Sequence, residues 1–367
     1  MYPTSATYKD KIKLLDRVFQ VKLQIQHSAG DLDLTDADIV QGSLVYNEAS
    51  QAGDDFTVGG VVASDLRVEL VNKPAYAELE FVGATLTCQI GLLVDEDTWE
   101  WVPLGVFNVD EVGKTRSRVT IKAVDNLILF DKPYSLSELS YPATLAQIFT
   151  DLCNVCDVLP ESVVFTNSTY VVATKPDSDL TCRDVLGYVA ELSGTFARAT
   201  RAGKIELAWY SASGLALTGA NRFNFVPRDD VVQITGVMAT IDETTYLAGT
   251  DAYAVDLTDN LLLQSDYETA IAAVYNAVKD TAFHAYSSEW QGNPAVQAGD
   301  IITQIDRDLN EYPTLVTHST YKYRGKSKLE ARGLPVTAKG FRGSTNKRIA
   351  TIIRKVEAIV GDRLTSL

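Results

Sequence analysis

Residues 19–26 read Phe19-Gln20-Val21-Lys22-Leu23-Gln24-Ile25-Gln26. Apolar and polar side chains alternate without a break, the period of a strand with one face buried. Leu66, Val68 and Leu70 alternate with Arg67 and Glu69 in the same way, and Val119, Ile121 and Ala123 repeat the pattern. Turn-forming clusters at Ala29-Gly30-Asp31, Gln51-Ala52-Gly53-Asp54-Asp55 and Gly59-Gly60 separate such runs. Short strands at this spacing predict a barrel or sandwich up to about Tyr134, with a short helix near Tyr8 to Leu15.

Beyond Tyr134 the period changes. Thr144 is placed to cap a helix, and Gln147 completes a capping box. Leu145, Ile148, Phe149, Leu152, Cys153 and Cys156 then form one apolar stripe. A second helix is predicted from Thr181, with Asp184 in its first turn, Val185, Leu186, Val189 and Leu192 inward, and Gly194 at its end. A strand at Ile205, Leu207 and Trp209 follows the turn at Ala202-Gly203. Strands return at Val231 to Ile241, Ile301 to Ile305 and Thr314 to Tyr323. A helix with Tyr267, Ile271, Val274, Tyr275 and Val278 on one face interrupts them, and a last helix is predicted from about Asn346 to Asp362.

The chain has 367 residues, 46% of them hydrophobic and 22% charged, which is a globular composition. The net charge of −15 argues against a chain that grips duplex DNA over its whole surface. The charge is uneven: Thr320 to Leu367 holds 12 basic and 3 acidic residues, net +9, which leaves −24 for the rest. This basic end fits a subunit-facing or solvated surface better than a nucleic-acid platform, because the acidic majority of the chain would repel DNA. No run approaches the 18 apolar residues of a membrane span, and the first residues lack an apolar signal core.

Most candidate chemistry fails on spacing. Gly113-Lys114-Thr115 resembles the end of a phosphate loop, but Asn108 stands where the first Gly is required, and Gly113 fits a hairpin turn. Cys153-Asn154-Val155-Cys156 has redox or zinc spacing, yet Cys88, Cys182, His27, His284 and His318 supply no second ligand pair, and both cysteines lie on the apolar stripe. Acid clusters occur at Asp31 and Asp33, Asp54-Asp55, Asp95-Glu96-Asp97 and Asp229-Asp230. A calcium loop starting at Asp95 would need Gly at Glu100 and Glu at Val106. No Gly-x-Ser-x-Gly elbow or His-Glu-x-x-His helix is present. No catalytic residue, metal site or cofactor is predicted. In the last helix Ile349, Ile352, Val356 and Ile359 are spaced 3, 4 and 3, an a/d seam of about two heptads; Ile at both positions favours trimers.

Three stretches together carry a family resemblance. Pro103-Leu104-Gly105-Val106-Phe107-Asn108-Val109-Asp110-Glu111, leading into Val119 to Asn126, resembles the end of the first barrel of phage tail-tip hub proteins. Thr181 to Ala197 resembles the Arg-Asp helix and following strand of their α/β domain. Trp290 to Ile302, with Gly292-Asn293-Pro294 and Gly299-Asp300, resembles the turn entering their second barrel. The family includes the baseplate hub of contractile tails and the N-terminal hub part of tail-associated lysins.

The resemblance implies a mixed β and α+β fold: a tube-protein-like β-barrel at 1–135, a small α/β domain at 136–219, a second barrel at 220–342 with a helical insertion at about 262–290, and a C-terminal helix at 343–367. It implies a homotrimeric ring that joins a sixfold tail tube to a threefold tip. The ring would enclose a channel for DNA, which passes without specific binding. The implied partners are the tail tube or distal tail protein, the tape-measure protein, and a spike or fibre. The implied location is the virion, after synthesis in the host cytoplasm. Tail-associated lysins continue past the hub, and this sequence stops at Leu367, so hydrolase activity is not carried over. The rival readings are a peptidoglycan hydrolase and a carbohydrate-binding adhesin using Trp99, Trp101, Trp209 and Trp290.

Overall fold

The computed structural model describes residues 1–28, 30–76, 79–176 and 179–333. The first strand-rich region forms seven strands: β1 (Phe19–His27), β2 (Gly30–Thr35), β3 (Val45–Ala49), β4 (Asp65–Val71), β5 (Thr85–Asp95), β6 (Thr98–Lys114) and β7 (Arg118–Asp125). The alternation read from the sequence is the alternation of burial. Val21, Leu23 and Ile25 are buried on β1, Leu66, Val68 and Leu70 on β4, and Val119, Ile121 and Ala123 on β7. They share one core with Leu86, Ile90 and Phe107. β6 is 17 residues long, and its register shifts against both β5 and β7. Such bulges bend a strand and let it pass from one packing surface to the next. A short helix, α1 (Ala6–Lys11), precedes the strands; the Ser5 side chain caps it.

The middle region holds β8 (Ala143–Thr144), α2 (Leu145–Cys156), β9 (Val171–Val172), α3 (Cys182–Leu192), β10 (Phe196–Ala199), β11 (Ile205–Ala208) and β12 (Ser211–Leu217). Both predicted capping boxes form: Thr144 with Gln147, and Thr181 with Asp184. All six stripe residues of α2 are buried, as are Val185, Leu186, Val189 and Leu192 on α3. Gly194 follows α3 at φ +66, a left-handed turn where a Cβ would come within 3.0 Å of Ala277. The helices share a core with α4 (Tyr267–Val278), whose Ile271, Val274 and Val278 are buried.

The third region departs from the sequence reading in its boundaries. Val231 to Ile241 is two strands, β13 (Val226–Gln233) and β14 (Gly236–Ile241). The chain breaks at Ile234-Thr235, where Thr235 Oγ1 accepts from Tyr253 N and donates to Thr250 O. There it leaves a large sheet for a three-stranded one formed by β14, β15 (Thr244–Gly249) and β16 (Ala254–Asp256). After α4, β17 (Ala282–Trp290) belongs to the large sheet, so the helical insertion ends before 290. Next come β18 (Asp300–Ile305), β19 (Glu311–Leu315), β20 (His318–Lys322) and β21 (Ser327–Ala331). The expected strand from Thr314 to Tyr323 is interrupted at buried Thr317, whose hydroxyl donates to Glu330 O and accepts from Arg332 N. β12 pairs in parallel with β18, which ties the end of the middle region to the third.

The ladders run without a gap across the boundary between the two expected barrels. β20 pairs with β3, Tyr321 opposite Tyr46, giving an eleven-stranded order β13-β17-β21-β20-β3-β4-β7-β6-β5-β1-β2. Tyr321 and Tyr323 complete the core of the first region. The sheet thus joins strands some 270 residues apart in the chain, a pairing no local pattern announces. The C-terminal helix, its seam Ile349, Ile352, Val356 and Ile359, and most of the basic end lie outside the described residues.

Candidate functional site

The residues singled out for chemistry are dispersed. Gly113 sits within β6 opposite Thr120, and Lys114 Nζ donates to the carbonyls of Tyr76 (2.9 Å) and Leu79 (2.6 Å). The hairpin turns two residues later, where Thr115 N donates to Arg118 O. Cys88, Cys153, Cys156 and Cys182 are unpaired and buried. Burial pushes the Cys153 thiol up to about 12, the behaviour of a small core hydrophobe. Among the described residues no group of three His, Cys, Asp or Glu side chains is placed to hold a metal ion. His27 packs edge-on to Phe81, His284 Nδ1 lies 3.1 Å from Arg228 O, and His318 Nδ1 lies 3.0 Å from Thr317 Oγ1.

The tryptophans fall at three places, with only Trp99 and Trp101 side by side. Trp290 is buried, and Trp209 donates to Thr281 Oγ1. Trp101 lies across Gly91 of β5, where a Cβ would meet its ring at 2.9 Å, and Lys22 Nζ caps it at 3.9 Å. Trp99 stands beside it, ring centroids 6.1 Å apart. Among the described residues no helix is long and apolar enough to cross a membrane.

The structure instead brings the three resemblance-bearing stretches to one junction. Arg201, on the turn between β10 and β11, joins the first and the third of them. Its Nη1 donates to Leu104 O (2.9 Å) and its Nη2 to Val296 O and Glu48 Oε2 (3.3 Å each), while the guanidinium lies 5.0 Å from the Tyr46 ring. The Arg201 and Glu48 side chains are 7% and 8% exposed, so this is a buried ion pair. Burial works against the Arg201 charge, but Glu48, Tyr46 and Asp300 outweigh it and raise the guanidinium pKa. An ion pair this deep costs desolvation on both sides, and removing either partner would leave the other charge buried and uncompensated.

Neighbouring contacts repeat the theme. Arg198 bridges Glu206 (2.7 Å) and Ala298 O. Gly299, at φ +96, seats its turn on the Phe196 ring, where a Cβ would come within 2.8 Å. Asn126 Nδ2 donates to Gly203 O at 2.6 Å and its Oδ1 accepts from Asn108. Asp125 accepts from Ser64 N (2.7 Å) and Leu127 N (2.9 Å), capping the 3₁₀ turn that leads out of β7. Burial raises its carboxyl to about 6 against those two bonds. On the far side an N-terminal strap holds the Gln291–Asp300 loop. The Met1 amine pairs with buried Asp300, Tyr2 N donates to Ala295 O, Tyr8 OH to Asn293 Oδ1, and Arg17 to the carbonyls of Gln291 and Gly292.

Sequence reading reached Asp125, Asn126 and Asp300 as parts of motifs. It missed Arg201, Arg198 and Glu48. The Ala202-Gly203 turn was legible, but one Arg beside a turn carries no signal, because its partners lie about 100 to 150 residues away.

No protein-family model matches the chain, and no curated protein matches it. Solved structures do. The tail protein from Neisseria meningitidis MC58 is 10% identical over 88% of this chain and 99% of its own, with a TM-score of 0.54. The 43 kDa tail protein of prophage MuSo2 from Shewanella oneidensis is 12% identical over 85% and 96%, TM-score 0.52. Prophage tail protein gp18 from Listeria monocytogenes EGD-e is 9% identical over 92% and 99%, TM-score 0.50. The chain has the fold of these phage and prophage tail proteins, as the resemblance read from its sequence implies.

Proposed function

We propose that the chain is a structural hub of a phage or prophage-derived tail, without catalytic activity. Three copies form a ring that joins the sixfold tail tube to the threefold tip and encloses the DNA channel. The observation that carries this reading is the extent of the fold match: nearly the whole of this chain corresponds to nearly the whole of each tail protein. The Arg201 junction supports it physically, since a ring subunit must hold its parts in one arrangement while load passes between tube and tip.

The seam Ile349, Ile352, Val356 and Ile359 would gather three copies on the axis. The tube or distal tail protein, the tape-measure protein and a spike or fibre would be its neighbours in the virion, and DNA would pass an acidic wall without adhering.

Light scattering across a size-exclusion peak tests the ring. The expected mass is about 120 kDa, three times 40.1 kDa. A stable dimer contradicts the threefold ring, and a monomer that stays monomeric with purified tube protein contradicts the hub reading. Replacing Ile352 and Ile359 together by Glu is expected to dissociate the trimer, because charges on a buried axis repel.

A further inference from the structure

The spacing Cys153-Asn154-Val155-Cys156 suggests a pair within α2, but the fold gives Cys156 another neighbour. Cys156 is the last residue of α2, and Cys182 is the first of α3. Lys132 holds these two helix ends together. Its carbonyl accepts from Cys182 N at 2.8 Å, and its Nζ donates to Val155 O at 3.0 Å. The Cys182 thiol lies 4.0 Å from Pro133 O, on the same connecting segment. Both cysteines are buried in one core with Leu152 and Val185. Their side chains are hydrogen-bonded to each other. Two thiols in contact, on elements that a third segment already fixes, need little movement to join.

We propose that Cys156 and Cys182 are a redox site, which a small-molecule disulfide closes into a bond that staples the end of α2 to the start of α3. Cys182 reacts first. The hydrogen bond from Cys156 holds its thiol below the ordinary range, against burial, and the first turn of a helix favours a thiolate. Opening of that turn admits the oxidant, since helix ends open at far lower free energy than the whole fold. With oxidised glutathione, Cys182 Sγ attacks one sulfur, its S–S bond breaks, and one glutathione leaves as a thiolate. Cys156 Sγ then attacks Cys182 Sγ in the mixed disulfide, and the second glutathione leaves. Two electrons pass from the protein thiols to the oxidant, and their two protons end on the two glutathiones. The new bond closes a loop over the 25 residues between the cysteines, which restricts the unfolded chain and stabilises the folded one. The proposal stands apart from the tail reading and does not depend on it.

Intact mass of the full chain tests it. The reduced protein, incubated folded with oxidised glutathione, is expected to lose two hydrogens without gaining a glutathione. Peptic digestion at low pH, which halts thiol exchange, is then expected to find the α2 end joined to the α3 start in the unaltered sequence. Cys156→Ala and Cys182→Ala should each abolish the loss of two hydrogens, and Cys88→Ala and Cys153→Ala should leave it. Thermal unfolding of the oxidised chain should shift to higher temperature and return when dithiothreitol is added. A link between Cys153 and Cys156, a link between two chains, a stable glutathione adduct, or no loss of hydrogens overturns the proposal. A bond between Cys156 and Cys182 that leaves the unfolding temperature unchanged overturns the staple.

Discussion

The α2–α3 unit and the Arg201 junction hold the molecule by opposite means. α2 and α3 bury apolar stripes whose members lie three or four residues apart, and side chains of Thr144 and Thr181 start them. The junction is polar, and its partners come from positions near 48, 104, 201 and 296. The first kind of region tolerates the loss of one contact by partial collapse around it. The second does not, because removing one member leaves another buried without a partner. The largest expected effect therefore falls at the junction. Arg201→Ala leaves the Glu48 carboxylate buried and alone, and is expected to cost about 3–5 kcal/mol in urea unfolding. Arg201→Met with Glu48→Leu should recover most of that loss, though not all, because Leu104 O and Val296 O still lose their donor. A double variant as unstable as the single one would show that the pair itself stabilises the fold.

The α2 stripe is the counterpart. Leu152 is fully buried among Leu145, Ile148 and Phe149, so Leu152→Ala removes contacts and opens a cavity. The expected cost is about 3 kcal/mol, within the range for such truncations. The loss should be independent of pH, and it should add to that of Arg201→Ala if the two regions are energetically separate. A coupling well above 0.5 kcal/mol would break the comparison, since it would mean that the junction and the helical core form one unit.

This contrast also sets what the sequence could disclose. Periods of 2 and 3.6 revealed β1, β4, β7, α2, α3 and α4, because each reports local burial within a few residues. The same reading placed β13 and β14 in one strand, and β19 and β20 in another, because strand-forming residues continue on both sides of Thr235 and Thr317 while the partners change. The joining of β20 to β3 and the convergence on Arg201 are products of topology. The stretches that carried the family resemblance were informative because their glycines and Asp125 do serve close approaches: Gly299 on Phe196, and Asp125 on Ser64 and Leu127. The residues that lock those approaches were silent.

Protonation separates the regions further. Asp125 has its carboxyl raised to about 6 by burial, above the ordinary 3.8. The folded state therefore holds this proton more tightly than the unfolded chain does. The resulting stability is full below about pH 4 and is lost as pH rises through 6. Asp125→Asn cannot ionise, so the stability of the native chain relative to that variant should fall across this window, by about 2–3 kcal/mol. His318 runs the other way. Burial, then Arg332, lowers it to about 4 from 6.5, so its contribution is present above about 6.5 and lost as pH falls through 4. His318→Gln should remove that acid-side slope and leave the Asp125 slope intact. Parallel slopes in the two variants would mean that neither group carries the pH dependence.

The smallest effect expected is at the start of α3, where local and long-range order meet. The Thr181 hydroxyl accepts from Asp184 N at 3.1 Å, and Asp184 Oδ2 accepts from Thr181 N at 2.9 Å. Thr181→Ala removes one half of this box and should cost about 1 kcal/mol. Thr181→Ser keeps the acceptor and should restore most of it. Because α3 is anchored along nearly its whole length by buried residues, the loss should appear as faster amide exchange in the first turn alone, with the Leu186–Leu192 turns unchanged. Faster exchange along the whole helix would mean that capping, more than the buried stripe, decides whether α3 forms. In that case the division between a locally encoded helical unit and a topologically encoded junction would have to be drawn inside α3 itself.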